Sequence, residues 1–204
     1  MGDCFDVAFV TRLAHSTHGE SLRFASLVAG EYAATTTPEV FKEGVRALQS
    51  IEASIIHELV GISLPWEERC GHQIYMAAPD FEGVDTRLLE EAIIALQYHN
   101  FAPRAPIREN GEASDETNDL DKVALAKKDL ALLAQCDSMM AVMLYNDPGT
   151  IAEIGIAFER GLPVIILDPY GLVDNLMLRG CARYIVSSLG EAIDAVFKVY
   201  GREI

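Results

Sequence analysis

The stretch Tyr145-Asn-Asp-Pro-Gly-Thr-Ile-Ala-Glu-Ile-Gly-Ile-Ala-Phe158 places two carboxylates, Asp147 and Glu153, on either side of a tight Pro-Gly turn. An apolar strand hands over to a helix there, and in open α/β sheets ligands bind in the crevice at the carboxyl ends of the strands. A carboxylate in the first helical turn would sit in the positive field of the helix N-terminus, which favours its ionised form. An ionised carboxylate at a ligand crevice is what a covalent nucleophile at a sugar carbon requires. The same residues admit a plainer reading. Thr150-Ile-Ala-Glu153 fits a capping box, in which Glu153 would only satisfy a backbone N–H at the helix start.

The elements that would position these residues follow from hydrophobic spacing. Gln73–Ala78 reads as a strand stopped by Pro79, Val84–Tyr98 as a helix, and Phe101–Ala105 as a second strand. Pro106–Thr117 is polar and contains glycine, so it is predicted as a loop. Asp119–Gln135 returns to helical spacing, with Val123, Ala126, Leu130 and Leu133 on one side. Ser138–Leu144 is a continuous apolar run, as expected of a central parallel strand buried on both faces. Its three methionines, Met139, Met140 and Met143, read as core packing rather than a metal site. Thr150–Arg160 is predicted as a helix closed by Gly161, Leu162–Leu167 as a strand, Arg183–Val186 as a short one, and Leu189–Tyr200 as the last helix. Strands alternating with helices indicate a doubly wound, flavodoxin-like parallel sheet of about five strands over residues 73–204.

Residues 1–72 differ in pattern and read as a mainly helical extension that covers the core or mediates assembly. Phe5–Val10 is predicted as a strand, Glu20–Ala34 and Pro38–Gly61 as helices, the second opened by Thr37 and Pro38. His15, His18 and His57 show no metal-pair spacing.

The bulk numbers exclude several classes. A net charge of −15, from 31 acidic and 16 basic residues, argues against nucleic acid or an acidic membrane surface as partner. An uncharged nucleoside is not excluded. Cys4, Cys70, Cys136 and Cys181 are far apart and form no C-x-x-C pair, so neither a zinc site nor a disulfide framework is suggested. No apolar run reaches the ~20 residues needed to span a bilayer, and the acidic start lacks a signal peptide's basic region, so a cytoplasmic protein is expected.

Four short motifs carry a resemblance. Tyr75-Met-Ala-Ala-Pro-Asp-Phe81, Gln135-Cys-Asp137, Asp147-Pro-Gly-Thr-Ile-Ala-Glu153-Ile-Gly and Asp174-Asn-Leu-Met-Leu178 stand in the order and spacing of the nucleoside 2-deoxyribosyltransferase family, which residues 73–200 resemble. The resemblance implies that Glu153 attacks the anomeric carbon to form a covalent deoxyribosyl-enzyme, and that Tyr75 orients it. It further implies that Phe81 lines the base pocket, that Asp137 protonates or polarises the leaving base, and that Asp147 binds the 5′-hydroxyl. Asn175, with Met177, matches a segment donated by a neighbouring subunit of a homo-oligomer. The polar segment with Arg108, Glu109 and Asn110 falls where relatives contact the base. No metal or organic cofactor is implied; the partners are a nucleoside and a free nucleobase.

The chemistry suits those residue types. Breaking an N-glycosidic bond builds positive charge on the sugar, which a nearby carboxylate stabilises and traps. A protonated group near the base improves it as a leaving group. Exclusion of water then gives transfer, in nucleoside salvage, rather than hydrolysis. The nearest rival is a 2′-deoxynucleoside 5′-monophosphate N-glycosidase, whose members carry serines where this chain has Asp147 and Asn175. An ionised Asp147 would repel a phosphate dianion but accept from a neutral hydroxyl. The cytokinin-activating phosphoribohydrolase type resembles a more glycine-rich turn than Asp-Pro-Gly-Thr. A non-catalytic nucleoside- or nucleotide-sensing module, with residues 1–72 as reporter, is the third alternative.

Overall fold

The computed structural model describes residues 2–35, 37–51, 55, 62–113 and 117–203. It divides into two compact units, residues 1–61 and 62–204.

The first unit contains α1 (Gly2–Leu13), α2 (His18–Ala34) and α3 (Pro38–Gln49). The strand expected at Phe5–Val10 is instead part of α1. Phe5 and Phe9, one helical turn apart, stack with centroids 6.4 Å apart. They flank Ala8, which is buried with Phe24, Ala25 and Val28 of α2, so the apolar stripe has helical rather than alternating period. The two valines that suggested a strand, Val7 and Val10, point to solvent. Thr17 and Glu20 close a reciprocal capping box at the start of α2, and Pro38 occupies the first turn of α3. Of the helix expected to reach Gly61, residues 52–54 and 56–61 lie outside the described residues, as does His57.

The second unit contains β1 (Ile62–Ser63), α4 (Trp66–Arg69), β2 (Gln73–Ala77), α5 (Arg87–Tyr98), β3 (Ala102–Arg104), α6 (Pro106–Asn110), α7 (Asp119–Leu133), β4 (Ser138–Val142), α8 (Pro148–Glu159), β5 (Val164–Leu167), α9 (Leu176–Cys181), β6 (Tyr184–Val186), α10 (Leu189–Tyr200) and β7 (Arg202–Glu203). Five strands form one parallel sheet in the order β3-β2-β4-β5-β6, the doubly wound, flavodoxin-like arrangement. The strand order reverses direction between β2 and β4, the switch point at whose carboxyl ends sheets of this kind bind ligands. Every residue of β4 and β5 is buried, which explains their unbroken apolar sequences. β3 lies at the sheet edge, where Pro103 costs no interior ladder bond.

Alternation along the strands splits the core into two layers. Ile74, Met76, Met140 and Ile165 pack with α5 and α10. Tyr75, Ala77, Met139, Ala141 and Ile166 face the opposite side and pack with Leu132 and Leu133 of α7, Ile154 and Ala157 of α8, and Leu178 of α9. α7 buries only its carboxyl end: Val123 and Ala126, expected on its inner side, are exposed. The loop expected over Pro106–Thr117 is also corrected. Pro106 starts the short helix α6, and Gly111, at φ 94°, ends it; residues 114–116 lie outside the described residues. A second, two-stranded sheet pairs β1 with β7 antiparallel. A Cβ at Gly201 would collide there with Ile62 and stand 2.7 Å from the Phe197 carbonyl oxygen.

Candidate active site

After β4 the chain turns at Asp147-Pro148-Gly149 and enters α8. Asp147 is the N-cap: its buried carboxylate oxygen Oδ2 accepts from the Thr150 amide at 2.6 Å and from the Thr150 hydroxyl at 2.9 Å. Gly149 leaves room for that carboxylate, since a Cβ there would stand 3.0 Å from Oδ2. The capping box considered between Thr150 and Glu153 is therefore not the arrangement found. Capping belongs to Asp147, and Glu153 is free for another use.

Glu153 lies in the second turn of α8, on the side facing the sheet, and is half-buried. Its Oε1 accepts a hydrogen bond from the Tyr75 hydroxyl at 2.5 Å. Tyr75 belongs to the inner face of β2 and is fully buried. The expectation that the helix N-terminus would hold Glu153 ionised is corrected by its surroundings. Burial pushes the Glu153 carboxyl up to about 7; the Tyr75 hydrogen bond opposes this, while the negative charges of Asp129 and Asp147 add to it. The Tyr75 hydroxyl is raised far above its ordinary value, first by burial and then by the Glu153 charge, so it stays a donor. The Tyr75 hydroxyl thus stays a donor that orients the half-buried Glu153 carboxyl.

Asp129, which the sequence did not single out, also acts on this pair. It lies on α7, accepts from the Asn110 side-chain amide at 2.8 Å, and acts electrostatically on both Glu153 and Tyr75. Asp137, expected near the base, is not brought to this group. It precedes β4 at the amino edge of the sheet, where its Oδ2 accepts from the Gln73 amide at 2.8 Å and its charge acts on Tyr200. The backbone there needs that partner, because Gln73 opens β2 while Asp137 donates in return to the Gln73 carbonyl.

Phe81 follows β2 at the carboxyl edge and is partly exposed. Asn175 caps α9, its side-chain oxygen accepting from the Met177 amide at 2.8 Å. The loop leading to it is held by buried Asp168, which accepts from the Leu172 and Val173 amides at 2.8 Å each. Leu176 and Met177 stand 83% and 73% exposed, unusual for apolar side chains of this size. Beside them lies a recess of about 580 Å³ lined by Asn146, Ile151, Ile154, Leu172, Asn175 and Met177, among others. Glu153 and Tyr75 do not line it. Cys136 is buried and its thiol is pushed up to about 11, chiefly by burial, which disfavours a thiolate there.

Among the described residues no cluster of three or more His, Cys, Asp or Glu could hold a metal ion, and no helix is long and apolar enough to cross a membrane.

Comparison with known proteins points the same way as this geometry. The family model for nucleoside 2-deoxyribosyltransferase matches residues 74–177, which include Tyr75, Asp129, Asp147 and Glu153. Among solved structures, the chain is similar to a 2-deoxyribosyltransferase from Bacillus psychrosaccharolyticus, with a TM-score of 0.54 and 21% identity over 61% of this chain and 95% of that one. It is also similar to a conserved protein from Enterococcus faecalis V583, with a TM-score of 0.51 and 22% identity over 63% of this chain and 98% of that one. At these identities the likeness is one of fold. No curated protein matches the chain.

Proposed function

The chain belongs to the nucleoside 2-deoxyribosyltransferase family, and on that premise we propose that it transfers 2-deoxyribose between nucleobases of 2′-deoxynucleosides, in nucleoside salvage, through a covalent link to Glu153. The observation that carries the reading is the 2.5 Å bond from buried Tyr75 to Glu153. It aims one carboxylate oxygen and leaves the other free to reach a sugar carbon.

In the first half-reaction the free oxygen of ionised Glu153 bonds to C1′ as the C1′–N bond breaks. The bonding pair leaves with the base, which takes a proton from Asp129. In the second, a nitrogen of the incoming base bonds to C1′, Glu153 departs as a carboxylate, and the proton of the incoming base returns to Asp129. Two carboxylic groups with divided duties are the usual arrangement for glycosidic bonds. The electrostatic action of Asp129 on Glu153 and Tyr75 supports giving this role to Asp129, whereas Asp137 is engaged by the Gln73 amide.

Asp147 has its Oδ2 committed to Thr150, which leaves Oδ1 to accept from a 5′-hydroxyl. A 5′-phosphate at that point would meet a negative charge. The outward-facing Leu176 and Met177 support a homo-oligomer in which Asn175 completes the site of a neighbouring copy.

The test is base exchange followed by chromatography. Deoxyinosine or thymidine with free adenine should yield deoxyadenosine, while Glu153→Gln should yield none. Release of free base from deoxynucleoside monophosphates alone would overturn the reading in favour of hydrolysis.

A further inference from the structure

α6 is five residues long, yet its last three side chains each bind a different part of the second unit. Arg108 donates Nε to Asp80 at 2.8 Å and its terminal nitrogens to Glu90 at 3.0 and 2.7 Å. Glu109 accepts a bidentate pair from Arg104 of β3 at 2.7 and 2.6 Å. Asn110 donates its amide nitrogen to Asp129 Oδ1 at 2.8 Å, in a partly buried contact. Exposed ion pairs of this kind add little stability one by one. Here they anchor α6 to the loop after β2, to α5 and to β3, so the Asn110 amide presents itself to Asp129 from a fixed platform.

We propose that Asn110 is the positioning residue for Asp129: its N–H holds Oδ1 and turns Oδ2 toward the leaving base. This rests on the reaction assigned above. An aspartate carboxyl rotates about its terminal torsion, and a general acid is effective only within hydrogen-bond reach of its target. A donor on one oxygen stops that rotation. The amide orientation is dictated by chemistry, because the Asn110 oxygen turned inward would set acceptor against acceptor. When the glycosidic bond breaks, the Oδ2 proton passes to the base and its bonding pair stays on Asp129. The new negative charge then faces a donor already in place, so no reorganisation is required at that moment.

The test compares wild type, Asn110→Leu, Asn110→Ala and Asn110→Gln in the first half-reaction alone, before any acceptor base is added, as base release from a 2′-deoxynucleoside and fluoride release from 2-deoxyribosyl fluoride. Fluoride departs without a proton from the protein, so its displacement needs Glu153 but not a positioned acid. The leucine and alanine variants are expected to lose about 10- to 100-fold in the rate of base release from the nucleoside and to stay within about 2-fold of wild type in the rate of fluoride release. The glutamine variant, which keeps a donor, should recover part of the loss. Unchanged nucleoside turnover, or an equal loss on both substrates in both truncations, would overturn the proposal. Wild type inert toward both substrates would overturn the transferase reading itself, a different and distinguishable outcome.

Discussion

Glu153→Gln should abolish transfer and, above neutral pH, make the protein more stable. The Glu153 carboxyl has an ordinary value of 4.5 and is pushed up to about 7 in the fold, mainly by burial. A group whose folded value is raised takes up protons on folding, so its ionisation works against the fold as pH rises. Below pH 4.5 both states are protonated and the site costs nothing. Between 4.5 and about 7 the cost grows, and above that it is constant. At ~1.4 kcal/mol per pH unit the full interval corresponds to roughly 3 kcal/mol, reduced to about 2 by water reaching the half-buried carboxylate. Glutamine keeps an oxygen for the Tyr75 hydroxyl and carries no charge, so it avoids that cost. Thermal melts at pH 8 should place the variant about 4–8 °C above wild type, with the two curves converging at pH 4.5. Base exchange measured on the same samples should be absent. A variant less stable than wild type at both pH values would refute the reasoning, since Glu153 would then be a structural member whose charge the fold requires.

The other residues give sharper contrasts. Tyr75→Phe removes the hydrogen bond that opposes the rise of Glu153; the acid limb of the kcat/KM profile should move to higher pH, with activity at pH 7 down by about 10-fold. Asp147→Asn keeps a cap for Thr150 and should cost only a few tenths of a kcal/mol by denaturant melts. Its KM for the nucleoside should rise, while a 5′-deoxy substrate is unaffected. Asp137→Ala, at the amino edge of the sheet, should leave kcat/KM within about 2-fold of wild type while lowering stability by about 1 kcal/mol, read from calorimetry, through loss of the Gln73 contact.

Much of the second unit was legible because two periodicities dominate it. Uninterrupted apolar runs at Ser138–Leu144 and Leu162–Leu167 are what strands buried on both faces require, and the helices between them carry clear apolar stripes. Glu153 and Tyr75 were legible through their motifs. That Asp129, eight residues before Asp137, acts electrostatically on this pair was not legible, since only the docking of α7 decides it. The burial that pushes the Glu153 carboxyl up was not legible for a related reason: distance from the helix start and enclosure by other side chains are properties of the packed state. α1 failed differently, because phenylalanine and valine favour strands and only the partner surface on α2 reveals the stripe. In α6 the polar residues that suggested a loop are the ones that bind it to its neighbours.

The pairing of Ile62 with Glu203 and of Ser63 with Arg202 brings the two ends of the α/β unit together. The chain thus enters and leaves that unit at one seam, as a purse is closed by a single drawstring. Whatever precedes Ile62 can be exchanged without rethreading the sheet, which offers a route by which a catalytic body could acquire a new helical partner. The same seam permits circular permutation: a short linker from Glu203 to Ile62 would join the old ends, and new ends could open in the polar stretch after α6.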